Sequence, residues 1–373
     1  MAASSWGGSE ELWSLAASRL KAEGRDVRAS TTWWPEVDLR LQQLKLQGVE
    51  VAMRSHDRNH SLSARAVRGI VRRIRPHRDP YAEAIAAASP DVVVISNGSS
   101  WPSREAAEAC LKSAVPYVTI AHANNIEWYP SSDEALLLRS YFQSARACLF
   151  VCDGNRRLVE TQIGMVLQNA QIVRNPFSAN YSTPLPWPRA SGGGNPFRFA
   201  CVARLHAPSK GHDILFETLA GEKWKDRNWT LSLFGEGPHR DTFERLVKIH
   251  DLGARVKFFG HVSNIENVWR EHHLFLLASR YEGLPISIVE AQLCGRPVVV
   301  TDVGGNAEIV VDGHTGFVAK APTPYLFSEA LERAWASRNE WKGIGERAAE
   351  FVRKQIPEDP VGEFVRVIDG IKA

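Results

Sequence analysis

Two cations six positions apart, Arg204 and Lys210, stand just after an apolar run and before a helical pattern that begins near His212. An arginine presents a planar fork to oxyanions and a lysine a compact charge. The first turn of the following helix adds backbone N–H groups. Together they suit a diphosphate, although two solvated surface cations would read the same way. A second group is Ser279-Arg280-Tyr281-Glu282-Gly283-Leu284-Pro285 with Glu290 eight residues beyond Glu282. Pro285 fits the first position of a helix, and Gly283 lets backbone approach a ligand closely. Glu282 then lies in the loop and Glu290 in the second turn, where carboxylates can accept paired hydroxyls of a ribose or hexose. The competing reading is a first-turn glutamate complementing the helix dipole and a solvated one. Phe234-Gly235-Glu236-Gly237-Pro238 is a strand followed by a glycine turn, but Arg240 stands where a dinucleotide fingerprint has its third glycine. Thr301-Asp302-Val303-Gly304-Gly305-Asn306-Ala307-Glu308 reads as another strand-to-helix turn whose amides can face an anion.

The first half carries fewer such groups. His122 follows an apolar run, as a cleft residue would, and Gly7-Gly8-Ser9-Glu10 looks like a turn opening a helix that Ser9 caps and Gly24 stops. Trp33, Trp34, Trp101, Trp128 and Tyr129 offer faces for a sugar ring, or for a core.

Residues of these kinds must be held at sheet edges. Short continuous apolar runs at 92–96, 117–122, 148–152, 198–205, 230–234, 256–261, 274–278 and 297–302 read as strands covered on both faces. They alternate with helical segments, which predicts doubly wound parallel sheets. Pro176, Pro184, Pro186, Pro188 and Gly192-Gly193-Gly194 break this pattern, since such density suits neither helix nor central strand. The expected organisation is a first Rossmann-like domain over 1–178, a linker over 179–196 and a second such domain over 197–355. A cleft lies between them, and a last segment over 356–373 reads as a helix with Phe364, Val365, Val367, Ile368 and Ile371 on its apolar side. Little chain precedes the Gly7-Gly8 turn, so the expectation is that a first strand is missing and that Met1 is not the native start.

Composition excludes several classes. With 45 Lys+Arg against 42 Asp+Glu, the net charge of +3 is too small to suggest nucleic-acid binding. Five cysteines without a C-x-x-C pair suggest neither a disulfide framework nor zinc, and fit a reducing compartment. No apolar run reaches the length of a membrane span.

Arg204…Lys210-Gly211, Gly235-Glu236-Gly237, Glu282-Gly283-Leu284-Pro285…Glu290-Ala291 and Gly304-Gly305…Glu308-Ile309-Val310 occur in one order. In this the sequence resembles the family 4 retaining glycosyltransferases of GT-B fold, specifically over about 198–320. Gly313-His314-Thr315-Gly316-Phe317-Val318 matches the family's stretch before its last strand. The resemblance implies a nucleotide-sugar donor, UDP- or GDP-linked, bound mainly by the second domain. Arg204 and Lys210 would hold the diphosphate and stabilise the leaving group without a metal or other cofactor. Glu290 would bind the ribose and Glu282 the transferred hexose, with Gly283, Leu284 and Pro285 near the sugar or phosphate. Gly7, Gly8 and Gly235 would complete the donor site, and His122 would face the acceptor. Transfer would keep the anomeric configuration by front-side attack, onto a glycan or lipid-linked hydroxyl, and the helix over 356–373 would cross back to the first domain.

Eight arginines, 54, 58, 65, 68, 72, 73, 75 and 78, accompany an apolar helical stripe. From Arg54 to Arg78 this reads as a basic amphipathic segment suited to anionic lipid, or as a helix with a solvated cationic face. The expected location is cytoplasmic, peripheral on the inner face of a membrane. The alternative function is a non-catalytic GT-B partner protein that binds a nucleotide sugar or glycan. A sugar epimerase and a dehydrogenase are disfavoured, the latter by the incomplete glycine fingerprint.

Overall fold

The computed structural model describes residues 6, 8–32, 39–54, 79–188 and 195–371. Their strands are β1 (Arg28–Thr32), β2 (Glu50–Arg54), β3 (Val93–Asn97), β4 (Tyr117–Ala121), β5 (Ala147–Phe150), β6 (Ala170–Ile172), β7 (Phe197–Val202), β8 (Trp229–Phe234), β9 (Val256–Gly260), β10 (Leu274–Leu277), β11 (Val298–Thr301) and β12 (Phe317–Ala319). In the first lobe β1 pairs with β2, and β3 to β6 form a second ladder in chain order. The second lobe has one sheet in the order β12-β11-β10-β7-β8-β9. Every pairing between these strands is parallel. This is the doubly wound α/β architecture that the apolar runs predict, in two Rossmann-like units.

The eight expected runs became β3 to β5 and β7 to β11. The other four strands lack a long apolar run. β1 reads Arg-Ala-Ser-Thr-Thr, β2 is only half-buried, and β6 and β12 have three residues each. Among the described residues no strand precedes the helix Gly8–Ala22, and the β1–β2 ladder is separate from that of β3 to β6.

β10 and β11 are buried along their whole length. Helices His212–Ala220, Ile286–Leu293, Pro324–Ala336 and Trp341–Gln355 line the core around them. Trp224, Trp229, Trp269 and Trp341 are fully buried in this lobe, and the Phe199 and Trp229 rings stack at 6.0 Å. Arg296 is buried as well. It donates to the carbonyls of Trp269, Pro186 and Cys294 and stands over the Trp187 ring. Burial pushes its guanidinium down to about 10, so the cation persists at neutral pH and fastens the linker to the second lobe.

The helix Pro360–Ile371 packs on the first lobe. Val361, Phe364, Val365 and Ile368 recur at helical spacing and share one core with Leu12, Ala16, Val118, Ile120, Leu149 and Val173. Ion pairs Arg19–Asp359 at 2.6 Å and Arg25–Asp369 at 2.7 Å flank it.

Two caps differ from expectation. The first helix begins at Gly8, so Ser9 lies inside its first turn and donates to Glu10 instead of capping. Pro285 occupies the cap position of Ile286–Leu293, one residue before the first helical one. Gly24, at φ +84°, follows the end of the first helix as expected. Among the described residues no helix is long and apolar enough to cross a membrane.

Candidate active site

β7 and β10 are neighbours, and the chain winds outward from them in opposite directions. Their carboxyl ends therefore flank the crevice at which doubly wound sheets bind ligands. The segment after β7 carries Arg204 and, at the end of the short helix Ala207–Lys210, Lys210, while the loop after β10 carries Ser279 to Pro285. Topology alone thus joins two motifs that are 72 residues apart in sequence (210 to 282).

The loops are bonded to each other. Lys210 Nζ lies 2.5 Å from Glu282 Oε1, which also accepts from Ser279 Oγ at 2.7 Å. Glu282 is only 6% exposed, so its carboxylate needs these two donors. Ser279 is held in turn by its carbonyl, which accepts from Thr301 Oγ1 at the end of β11. Arg280 donates its backbone N–H to the Ser209 carbonyl at 2.7 Å and grips Asp213 through two bonds of 2.9 and 2.6 Å. Arg204 is exposed and has no ion-pair partner among the described residues, so its guanidinium stands free for an anion.

Glycines allow this closeness. Gly211 has φ +59°, and a Cβ there would lie 1.9 Å from the Ala278 carbonyl oxygen. Any side chain would push the lysine loop off the end of β10. Gly235 and Gly237 press in the same way on the Ala203 and Leu205 carbonyls, on either side of Arg204. The turn after β8 therefore buttresses the arginine loop.

Glu290 projects from the helix Ile286–Leu293 and is buried. Its Oε1 accepts from Ser178 N at 2.9 Å and from Ser178 Oγ at 2.8 Å. Burial raises its carboxyl above the usual range, and the Ser178 bonds oppose that rise.

The first lobe meets this group edge to edge. His122 follows β4, is buried, and places Nε2 at 3.0 Å from Ser96 Oγ. Burial pushes its imidazole down to about 4, so it is neutral near pH 7. The His122 carbonyl faces Gly283 so closely that a Cβ there would sit 1.9 Å away. Asn124 N approaches the Glu282 carbonyl at 3.4 Å. The rings of Trp128 and Tyr281 face each other across the seam at 5.1 Å. Gly8 lies against Ile286, where a Cβ would come within 2.7 Å of Cδ1.

The structure thus gathers His122, Gly8, Lys210, Glu282, Gly283 and Pro285 along one seam, with Arg204 and Gly235 beside it and Leu284 buried within it. Glu290 points toward Ser178, the residue just before the linker. Gly7 lies outside the described residues, as do Trp33 and Trp34. Trp101 packs against the first-lobe core. Of the eight arginines only Arg54 is described, over the Tyr81 ring at 4.4 Å, and Arg58 to Arg78 lie outside. Ser178, Asn124 and Asp213 carry no sequence signal, since each acts through a contact from a distant segment. Ser279 was within reach, as the residue that ends a buried run just before Glu282.

Residues 189–351 match the family model described as "Glycosyl transferases group 1". This match covers the second lobe, and the two facing Rossmann-like lobes have the GT-B fold of the solved structures they superpose on. Among curated proteins, the chain is 29% identical to an uncharacterized glycosyltransferase of Methanocaldococcus jannaschii over 42% of its own length and 44% of the relative's. It is 30% identical to the N-acetyl-alpha-D-glucosaminyl L-malate synthase of Bacillus anthracis over 35% of this chain and 34% of that one. The chain spans less than half of either relative. Across whole chains, it superposes on Anabaena HepE, solved with UDP and glucose, with TM-score 0.73 and 18% identity, covering 99% and 97% of the two chains. A glycosyltransferase from Rickettsia africae gives 0.71 at 17% identity, covering 98% and 95%.

Proposed function

We propose that the chain is a retaining glycosyltransferase that moves a hexose from a UDP- or GDP-sugar to a hydroxyl of a glycan or lipid-linked acceptor. The observation that carries this reading is the pairing of Lys210 with Glu282, beside the unpaired Arg204, at the switch point of the second sheet. The relatives' names and the HepE structure with UDP support it.

In this reading residues 197–355 bind the donor and residues 1–178 the acceptor. The segment 179–196 joins them, and 356–373 returns to the first lobe. Arg204 and Lys210 receive the diphosphate, and their charge stabilises the negative charge that grows as the bond to the anomeric carbon breaks. The acceptor oxygen bonds to that carbon on the face the diphosphate leaves, and its proton passes to the departing phosphate oxygen. Glu282 holds hydroxyls of the hexose, with the backbone of Gly283 and Leu284 beside it. Gly8 and Pro285 border the site, and Glu290 holds the ribose. His122, neutral at pH 7, offers a hydrogen bond to the acceptor side without adding charge. The two fixed cations replace a metal, so chelation should leave turnover unchanged. Attachment to an anionic membrane surface at the inner face rests on the Arg54 to Arg78 pattern alone. Binding to anionic vesicles that fades with added salt would support it.

The test is calorimetric titration of UDP and GDP, with donor turnover measured alongside. One nucleotide should bind saturably, and Arg204→Ala or Lys210→Ala should each weaken it about tenfold or more while leaving the fold intact. Binding of neither nucleotide to the folded chain would overturn the reading. Binding without turnover on any acceptor would favour the non-catalytic partner.

A further inference from the structure

We propose that Glu308 is a positioning residue that holds the two lobes in the register the reaction needs. The inference rests on the donor-site reading above and concerns a residue outside that site.

The helix Asp153–Ile163 of the first lobe starts without a side-chain cap, because its cap residue is Cys152. The first amides of a helix have no partner within it. Here the amide of Gly154 donates to Glu308 Oε1 at 2.7 Å. Glu308 belongs to the other lobe, on the short helix Asn306–Ile309. Its second oxygen faces Arg174 at 3.5 Å, and Arg174 also donates to the Val151 carbonyl at 2.7 Å. One carboxylate from the second lobe therefore completes both a helix start and a cation in the first. A negative group is favoured there by the helix dipole as well.

The backbone around Glu308 leaves no slack. A Cβ on Gly154 would lie 2.3 Å from the Gly304 carbonyl oxygen, and one on Gly305 would lie 2.5 Å from Cys152 Cβ. On its other side the same turn reaches the donor loop, where Gly305 N donates to the Gly283 carbonyl at 2.8 Å. Gly283 is the residue pressed against the His122 carbonyl. The Gly304-Gly305 turn thus touches the capped helix and the Glu282 loop at once. Any slip of the lobes at Glu308 shifts Gly283 past His122, and with it the two halves of the seam.

The experiment is hydrogen exchange on the full chain, wild type against Glu308→Ala and Glu308→Gln, with UDP and GDP titration and donor turnover on the same samples. In Glu308→Ala the amides at 154–156 should exchange about tenfold faster, the range expected for a lost helix cap. Turnover should fall at least about tenfold, while nucleotide affinity, set within one lobe, stays within about twofold. Glu308→Gln keeps an acceptor for Gly154 and should regain most of the protection and much of the turnover. Unchanged exchange in Glu308→Ala overturns the proposal. So does a joint loss of nucleotide affinity and turnover that only tracks a loss of melting temperature. If the wild type binds neither nucleotide, the donor reading fails, and the exchange arm still decides whether Glu308 joins the lobes.

Discussion

Glu290 is a carboxylate with little reason to be stable where it stands. It is buried on an apolar helix, and its hydrogen bonds from Ser178 do not offset the loss of water, so its carboxyl titrates above the ordinary value. An acid whose folded value is raised is at its best below the unfolded value. That advantage is lost as pH rises through the folded one. At pH 7.5, where the unfolded chain holds this acid ionised, burying it therefore costs the wild type stability. Glu290→Gln should raise the melting temperature there by about 2 °C and lose that advantage toward pH 4. It should also weaken nucleotide binding if Glu290 holds the ribose. Thermal melts across pH 4 to 8, with UDP and GDP titrations, check both. At this scale the motif residues were legible in advance, because each combines a chemical type with a position at the end of an apolar run. Ser178 and Asn124 were not legible, since nothing local marks a residue whose role comes from a partner more than a hundred positions away.

Among the elements, the strands that the chain buries on both faces were readable. β10 and β11 are unbroken apolar runs, and an apolar run of that length between helices has few other uses. β1 and β2 escaped because their exposed or half-buried residues leave no such run. The glycines belong to the element scale too, since they set how closely a loop approaches a strand end. Gly211 combines a left-handed backbone with a carbonyl where its side chain would go. Gly211→Ala should cost about 2–4 kcal/mol. Gly253→Ala, at a site with no neighbour within 4 Å and no left-handed backbone, should stay within about 0.5 kcal/mol. Urea midpoints of the two variants give the comparison.

At the scale of the whole molecule, the last helix belongs to the first lobe. Phe364 is buried among first-lobe residues, so Phe364→Ala should cost about 3–5 kcal/mol. The loss should appear in the calorimetric transition of the first lobe and not in that of the second. The apolar stripe of this helix was visible in the sequence, but its address came only from the resemblance to the GT-B fold, because a stripe says that a face is covered and not by what. The same arrangement sets an order of events at the ribosome. Leu12 and Ala16 are made about 350 residues before their partners Phe364, Val365 and Ile368. At common rates of synthesis the delay is roughly 20–70 s. Throughout that time the first lobe carries an uncovered apolar face. The second lobe has all its core residues by Ile356, so the first lobe, begun earlier, is the later of the two to be completed.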